Sequence, residues 1–87
     1  MFLEILNATY LADYKIRLFF NNGQNMIIDF SDELNGRIFE PLKEKSVFQV
    51  FTIKYNTIEW SNGADFAPEY LFELGKSQME INQKYAV

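Results

Sequence analysis

Tyr14-Lys15-Ile16-Arg17-Leu18-Phe19-Phe20-Asn21-Asn22-Gly23, answered by Met26-Ile27-Ile28-Asp29-Phe30, decides the fold class. Tyr14, Ile16, Leu18 and Phe20 alternate with Lys15, Arg17 and Phe19. A period of two belongs to a strand with one buried face. Met26, Ile28 and Phe30 repeat the pattern on the return. Between them, Asn22-Gly23 suits a type I′ turn, which needs positive φ at both central residues. The stretch predicts an antiparallel hairpin.

Working outward, residues 2–10 mix Leu3, Ile5, Leu6 and Tyr10 with Glu4, Asn7 and Thr9. They predict a first strand, with a turn at Ala12-Asp13. On the other side, Ser31 to Gly36 reads as one helical turn: Ser31 caps it, Asp32 and Glu33 face the positive end of its dipole, and Gly36 ends it. Pro41 disfavours helical backbone at Glu40, so Phe39-Glu40-Pro41-Leu42 reads as an extended corner. Phe51, Ile53 and Tyr55 alternate with Thr52 and Lys54. Asn56 then turns the chain, and Ile58 and Trp60 line one face of a short return strand. Pro68 suits the first position of a helix and Gly75 the position past its end. With Ala67 as N-cap, Phe66 and Leu71 form a hydrophobic staple.

The reading is α+β: a small, mainly antiparallel sheet of about five strands built from two hairpins, with a short C-terminal helix. Residues 1–75 form one domain and residues 76–87 a polar C-terminal tail.

Composition excludes more than it identifies. The 87 residues include no Cys and no His, so disulfides, Cys/His zinc sites, and Ser-His-Asp or Cys-His catalysis are ruled out. Fifteen aromatics, nine Phe, five Tyr and one Trp, must supply much of a thin core. The net charge is −4, and no run of bases offers the basic stripe that nucleic acid requires. Residues 1–6 lack the basic start of a signal peptide, and no apolar run is long enough to span a membrane. The glycines lie too far apart for a phosphate-binding loop. The expectation is a cytoplasmic protein without catalytic residues, metal or cofactor, and without direct nucleic-acid or membrane contact.

The order of motifs carries a resemblance. After the hairpin come Phe39-Glu40-Pro41-Leu42, Phe48-Gln49-Val50, and a closing Trp60-Ser61-Asn62-Gly63-Ala64-Asp65-Phe66-Ala67-Pro68-Glu69-Tyr70-Leu71. Over about residues 10–73 the chain resembles the bacterial domain-of-unknown-function 2442 family. The family shows the same Trp-x-Asn-Gly-Ala-Asp…Pro-Glu-x-Leu ending. Ser61 stands where it often has Pro or Asp, and Phe66 where it often has a smaller aliphatic. The resemblance implies an α+β fold with no established enzymatic activity. Some members are fused to a helix-turn-helix domain, for which no room is expected after Gly75. Others are encoded beside a small partner protein in pairs that look like toxin–antitoxin modules. It therefore implies an antitoxin-like interaction module whose partner is a neighbouring-gene product. The competing readings are a small-molecule or peptide binding subunit using Asp65, Glu69 and Tyr70, and a regulator working with a DNA-binding partner.

Four residues are the candidate binding set: Trp60, Asn62, Asp65 and Tyr70. Trp60 is the largest anchor an interface could use, although packing against Phe51 or Leu71 is the plainer role. Asn62 and Asp65 could present polar groups beside the indole; their plainer role is to hold the strand-to-helix turn. Tyr70, beside the inward Leu71, is expected to face the loop and solvent. Asp65 with Glu69 offers too few oxygens for a hard cation. Lys15, Arg17 and Phe19 share a face that could meet an acidic partner. Open sheet edges and the aromatic excess predict a homodimer.

Overall fold

A computed structural model describes residues 2–85, and for residues 82–85 the backbone alone. The stretch that decides the fold forms β2 (Lys15–Phe20) and β3 (Asn25–Asp29), preceded by β1 (Ile5–Ala12). The three make an antiparallel sheet in the order β1-β2-β3. Ile16 pairs with Ile28 and Leu18 with Met26, so these side chains share the buried face with Phe20 and Phe30. Asp13 takes the turn after β1 at φ 52°, a conformation Asp tolerates better than most residues. The strand therefore reaches Ala12, beyond the expected end at Tyr10.

The first hairpin differs from the type I′ expectation. Gly23 has φ 88°, while Asn22 is not left-handed. Phe20 N–H donates to Gln24 O (2.9 Å) and Gly23 N–H to Phe20 O (3.1 Å), which closes a three-residue loop. Such loops join a type I turn to one left-handed residue. Tertiary contacts account for the difference. Asn21 Oδ1 accepts from Glu4 N–H and its Nδ2 donates to Phe2 O, so the loop also holds the N-terminal segment.

The second hairpin, β4 (Phe51–Lys54) and β5 (Thr57–Trp60), carries the type I′ turn instead. Its central residues Tyr55 and Asn56 have φ 52° and 69°. Asn56 O accepts from Ile5 N–H at 2.8 Å, which docks the hairpin tip onto β1. The five strands thus divide into a three-stranded and a two-stranded antiparallel sheet.

Between the hairpins the chain departs from expectation twice. Residues 31–33 form a turn and not a helix: Ser31 N–H donates to Asp29 Oδ1, and Glu33 N–H to Phe30 O. The expected extended corner at Pro41 is a 3-10 helix, Arg37–Lys43, which Gly36 precedes. Its tight coil buries Leu42 and stacks Phe39 on Phe66 at 4.8 Å, and this burial overrides the local preference of the residue before Pro41. A single helical turn, α1 (Lys45–Phe48), then carries Phe48 to the centre of the core.

The closing helix, α2, spans Pro68–Tyr85. Pro68 begins it as expected, and Leu71 N–H donates to Ala67 O. Gly75 does not end it. The helix runs on through most of the segment read as a polar tail; residues 86 and 87 lie outside the described residues. Gly75 faces β3, where a Cβ would stand 2.5 Å from Met26 Sδ and 3.4 Å from Ile28 Cδ1. It is there for close approach of helix to strand. One turn later Gln78 grips the strand edge: its Oε1 accepts from Asp29 N–H and its Nε2 donates to Asp29 O, both at 2.9 Å. A side-chain amide thereby supplies the two bonds a neighbouring strand would make.

The core is one cluster that runs from Ile5 to Leu71, with Trp60 at its aromatic centre. Phe30, Phe48, Phe51 and Phe66 lie 5.7–6.3 Å from the indole, ring centre to ring centre. Phe30, Phe51 and Phe66 meet it edge-to-face and Phe48 is tilted at 32°; aromatic pairs add about 0.5–1.5 kcal/mol each beyond burial. Among the described residues no helix is long and apolar enough to cross a membrane.

Candidate functional site

The four residues singled out from the sequence do not form one exposed site. Trp60 is 1% exposed, and its Nε1–H donates to Phe48 O at 2.7 Å. The indole is the tie between β5 and α1, and no ligand can reach it. Asn62 sits in the loop that follows. Trp60 N–H donates to Ala64 O and Gly63 N–H to Trp60 O, with Gly63 at φ 89°. Asn62 Oδ1 accepts from Ala64 N–H (3.1 Å), and Nδ2 reaches across to Ile38 O (2.8 Å). Asn62 therefore bonds within its turn and also ties that turn to the 3-10 helix, a contact not expected from the sequence.

Asp65 takes part through its backbone, in an antiparallel bridge with Glu59. Its carboxylate is exposed and, among the described residues, neither accepts a hydrogen bond nor forms an ion pair, so it does not hold the turn by its side chain. Among the described residues no group of three or more acids is placed to hold a metal ion.

Tyr70 is half exposed, as a surface residue should be, but it does not lean toward the Asn62 loop. Its ring stacks on Phe66 at 6.2 Å, and its hydroxyl donates to Glu33 Oε1. That hydrogen bond, with partial desolvation, holds the phenol above its ordinary pKa. A second tie of this type is Lys45 to Asp13 (3.1 Å), which raises the lysine pKa. Tyr14 OH donates to Lys43 O beside it. Both ties fasten the 31–48 segment to its neighbours.

The surface with room for a partner lies at the other end of α2. An open groove of about 580 Å³ is lined by residues of β1, β2, β3, the 31–33 turn and α2. Leu11, Ile27 and Ile81 give it an apolar floor, 41%, 43% and 53% exposed. Asp29, Asp32 and Glu33 also line it, with Lys15 as the basic residue of the lining. Lys15, on the strand face that could have met an acidic partner, shares this groove with three carboxylates. Leu11 is at the β1 irregularity between Tyr10 and Ala12, and Ile27 pairs with Arg17 on the outward face of the sheet. One sequence signal pointed here: three consecutive apolar residues, Met26-Ile27-Ile28, place one of them on the outward face.

No curated protein and no solved structure matches the chain. A family model described as "Protein of unknown function (DUF2442)" matches residues 5–77, a span that takes in all five strands and the first turns of α2. The chain belongs to that family.

Proposed function

We propose that the chain is a non-enzymatic protein-interaction module, the antitoxin-like half of a two-gene bacterial pair. It would act in the cytoplasm as a homodimer, and the product of the neighbouring gene would be its protein partner. The observation that carries the reading is the groove beside α2. Leu11, Ile27 and Ile81 come from three separate elements and leave a shared apolar floor in water, where single exposed apolar residues would be unremarkable. The acidic side chains in its lining fit a partner segment that sets Lys or Arg beside aliphatic side chains.

The chemistry of the chain supports binding over turnover. It has no His and no Cys, and its perturbed Tyr70 and Lys45 are each committed to a tie within the fold. The net charge of −4 favours a basic protein partner over nucleic acid.

The test is co-expression with the product of the adjacent gene, followed by capture on the tagged chain. Wild-type chain should retain the product. The double variant Ile27→Glu/Ile81→Glu should lose it with an unchanged melting temperature. Failure of the wild type to retain the product would sink the reading; retention by the double variant would move the contact away from the groove.

A further inference from the structure

We infer that β4 is the homodimer contact, and that two copies join by antiparallel pairing of β4 with β4 across a two-fold axis at Thr52. This rests on the self-association in the proposed function and assigns it a surface.

The edges of the two sheets are not equivalent. β1 is broken by two register shifts, its Ala8 N–H is taken by Asn7 Oδ1, and its start is docked on Asn56. β3 is crossed by α2 and capped by Gln78. The far edge of β5 is closed by the Glu59–Asp65 bridge. Bulges, covers and caps are the usual ways of blunting an edge. Among the described residues β4 has no bulge, cover or cap; its shortness and its terminal Lys54 weaken the edge without closing it.

The phase of its free groups follows from the turn. In a two-residue hairpin the residues flanking the loop exchange both hydrogen bonds, so Lys54 and Thr57 form such a pair. Alternation then turns Thr52 toward Glu59, and Phe51 and Ile53 away from β5. The other side of the ladder agrees: Trp60, opposite Phe51, gives its N–H to Ala64 and not to β4. Among the described residues, the N–H and C=O groups of Phe51 and Ile53 make no backbone hydrogen bond outside the β4–β5 ladder, and the phase of that ladder turns them away from β5.

Two donors and two acceptors at positions 51 and 53 are self-complementary. A two-fold axis at Thr52 sets Phe51 of one copy opposite Ile53 of the other, and all four groups on each strand are satisfied. The side chains agree with that register. Ile53, 39% exposed, meets the half-buried Phe51 of its mate. Thr52 meets Thr52, a favourable cross-strand pair. Lys54 lies over Val50, which is 64% exposed, so the two lysines stand about 14 Å apart and no like charges face each other. Pairing of two four-residue strands buries well under the roughly 1,200 Å² of a standard stable interface, so the dimer should form only at high micromolar concentration.

Sedimentation equilibrium of the full chain at high micromolar concentration tests this. Wild type should be dimeric, and Thr52→Asp and Thr52→Lys should each be monomeric, because like charges would meet on the axis. An equal mixture of the two variants should dimerise again as a heterodimer. Thr52 is exposed and lies opposite Glu59, so Thr52→Lys should keep the wild-type melting temperature, and Thr52→Asp should melt slightly lower yet remain folded. A monomeric wild type would overturn self-association itself. A dimeric wild type with equally dimeric single variants, or a mixture that stays monomeric, would overturn β4 as the contact. Partner capture through the groove is unaffected by any of these results.

Discussion

Phe20-Asn21-Asn22-Gly23-Gln24 and Trp60-Ser61-Asn62-Gly63-Ala64 are the same backbone device used twice. In each, the aromatic accepts from the glycine three residues on and donates to the residue after it. In each, the Asn just before the glycine accepts from the N–H two residues ahead, at 3.0 and 3.1 Å. The glycines have φ 88° and 89°. They differ in what the remaining groups reach. The Asn22 side chain stays within its loop, whereas Asn62 Nδ2 crosses to Ile38 O. Phe20 packs on Phe72 without a polar bond, whereas the Trp60 indole donates to Phe48 O. The first turn joins two strands and, through Asn21, holds the N-terminal segment at Phe2 and Glu4. The other fastens the second hairpin to both ends of the 37–48 segment. A turn motif reports local backbone; its wider role depends on partners that local sequence does not show.

That contrast can be tested first at the aromatic position. Trp60→Phe leaves the Phe48 carbonyl without its donor in a buried site and shrinks the central ring. It should cost about 2–4 kcal/mol in urea unfolding. Phe20→Leu changes volume alone and should cost about 1–1.5 kcal/mol. Equal losses would break the distinction.

Gly23→Ala and Gly63→Ala should match each other. A Cβ meets nothing within 4 Å at either position, so each variant bears only the left-handed backbone penalty of about 1–2 kcal/mol. A much larger loss at Gly63 would mean that its loop is crowded.

At the asparagines the two turns should separate again. Asn62→Ala should cost about 1–2 kcal/mol, since it removes the local bond and the tie to Ile38, and Asn22→Ala about 0.5 kcal/mol. Chemical denaturation resolves the difference.

The smallest effect concerns Tyr70. Tyr70→Phe keeps the stacking on Phe66 and should change stability by no more than about 0.5 kcal/mol near neutral pH. The tie to Glu33 raises the phenol pKa in the folded state. Its contribution is therefore complete below the ordinary tyrosine pKa and is lost as pH rises through the folded value. Absorbance titration of tyrosinate should show one phenol shifting down in Glu33→Gln.

The legible parts of the fold were those where local pattern and tertiary contact agree. Ile16, Leu18, Met26 and Ile28 were readable because period two is enough to find a buried strand face. Pro68 and the Asn62-Gly63 turn were readable because their preferences are local. Gly75 was misread because its partner Met26 lies 49 residues away, and a glycine that permits close packing looks like one that ends a helix. Gln78 looked like tail for the same reason: its bonds to Asp29 are invisible in its neighbours. The type I′ turn went to Tyr55-Asn56, not Asn22-Gly23, because Asn21 is held by Phe2 and Glu4. The groove was the least legible feature, since Leu11, Ile27 and Ile81 meet only after three elements have packed.

Amide hydrogen exchange across residues 37–48 in Asn62→Ala, set beside Asn22→Ala, is the most direct test of the different roles of the two turns. Asn62→Ala should speed exchange through the 3-10 helix and α1 as well as in its own loop, while Asn22→Ala should affect only residues around 20–24. Exchange confined to residues 60–64 in Asn62→Ala, with 37–48 unchanged, would contradict a fastening role and return Asn62 to the surface residues available for binding.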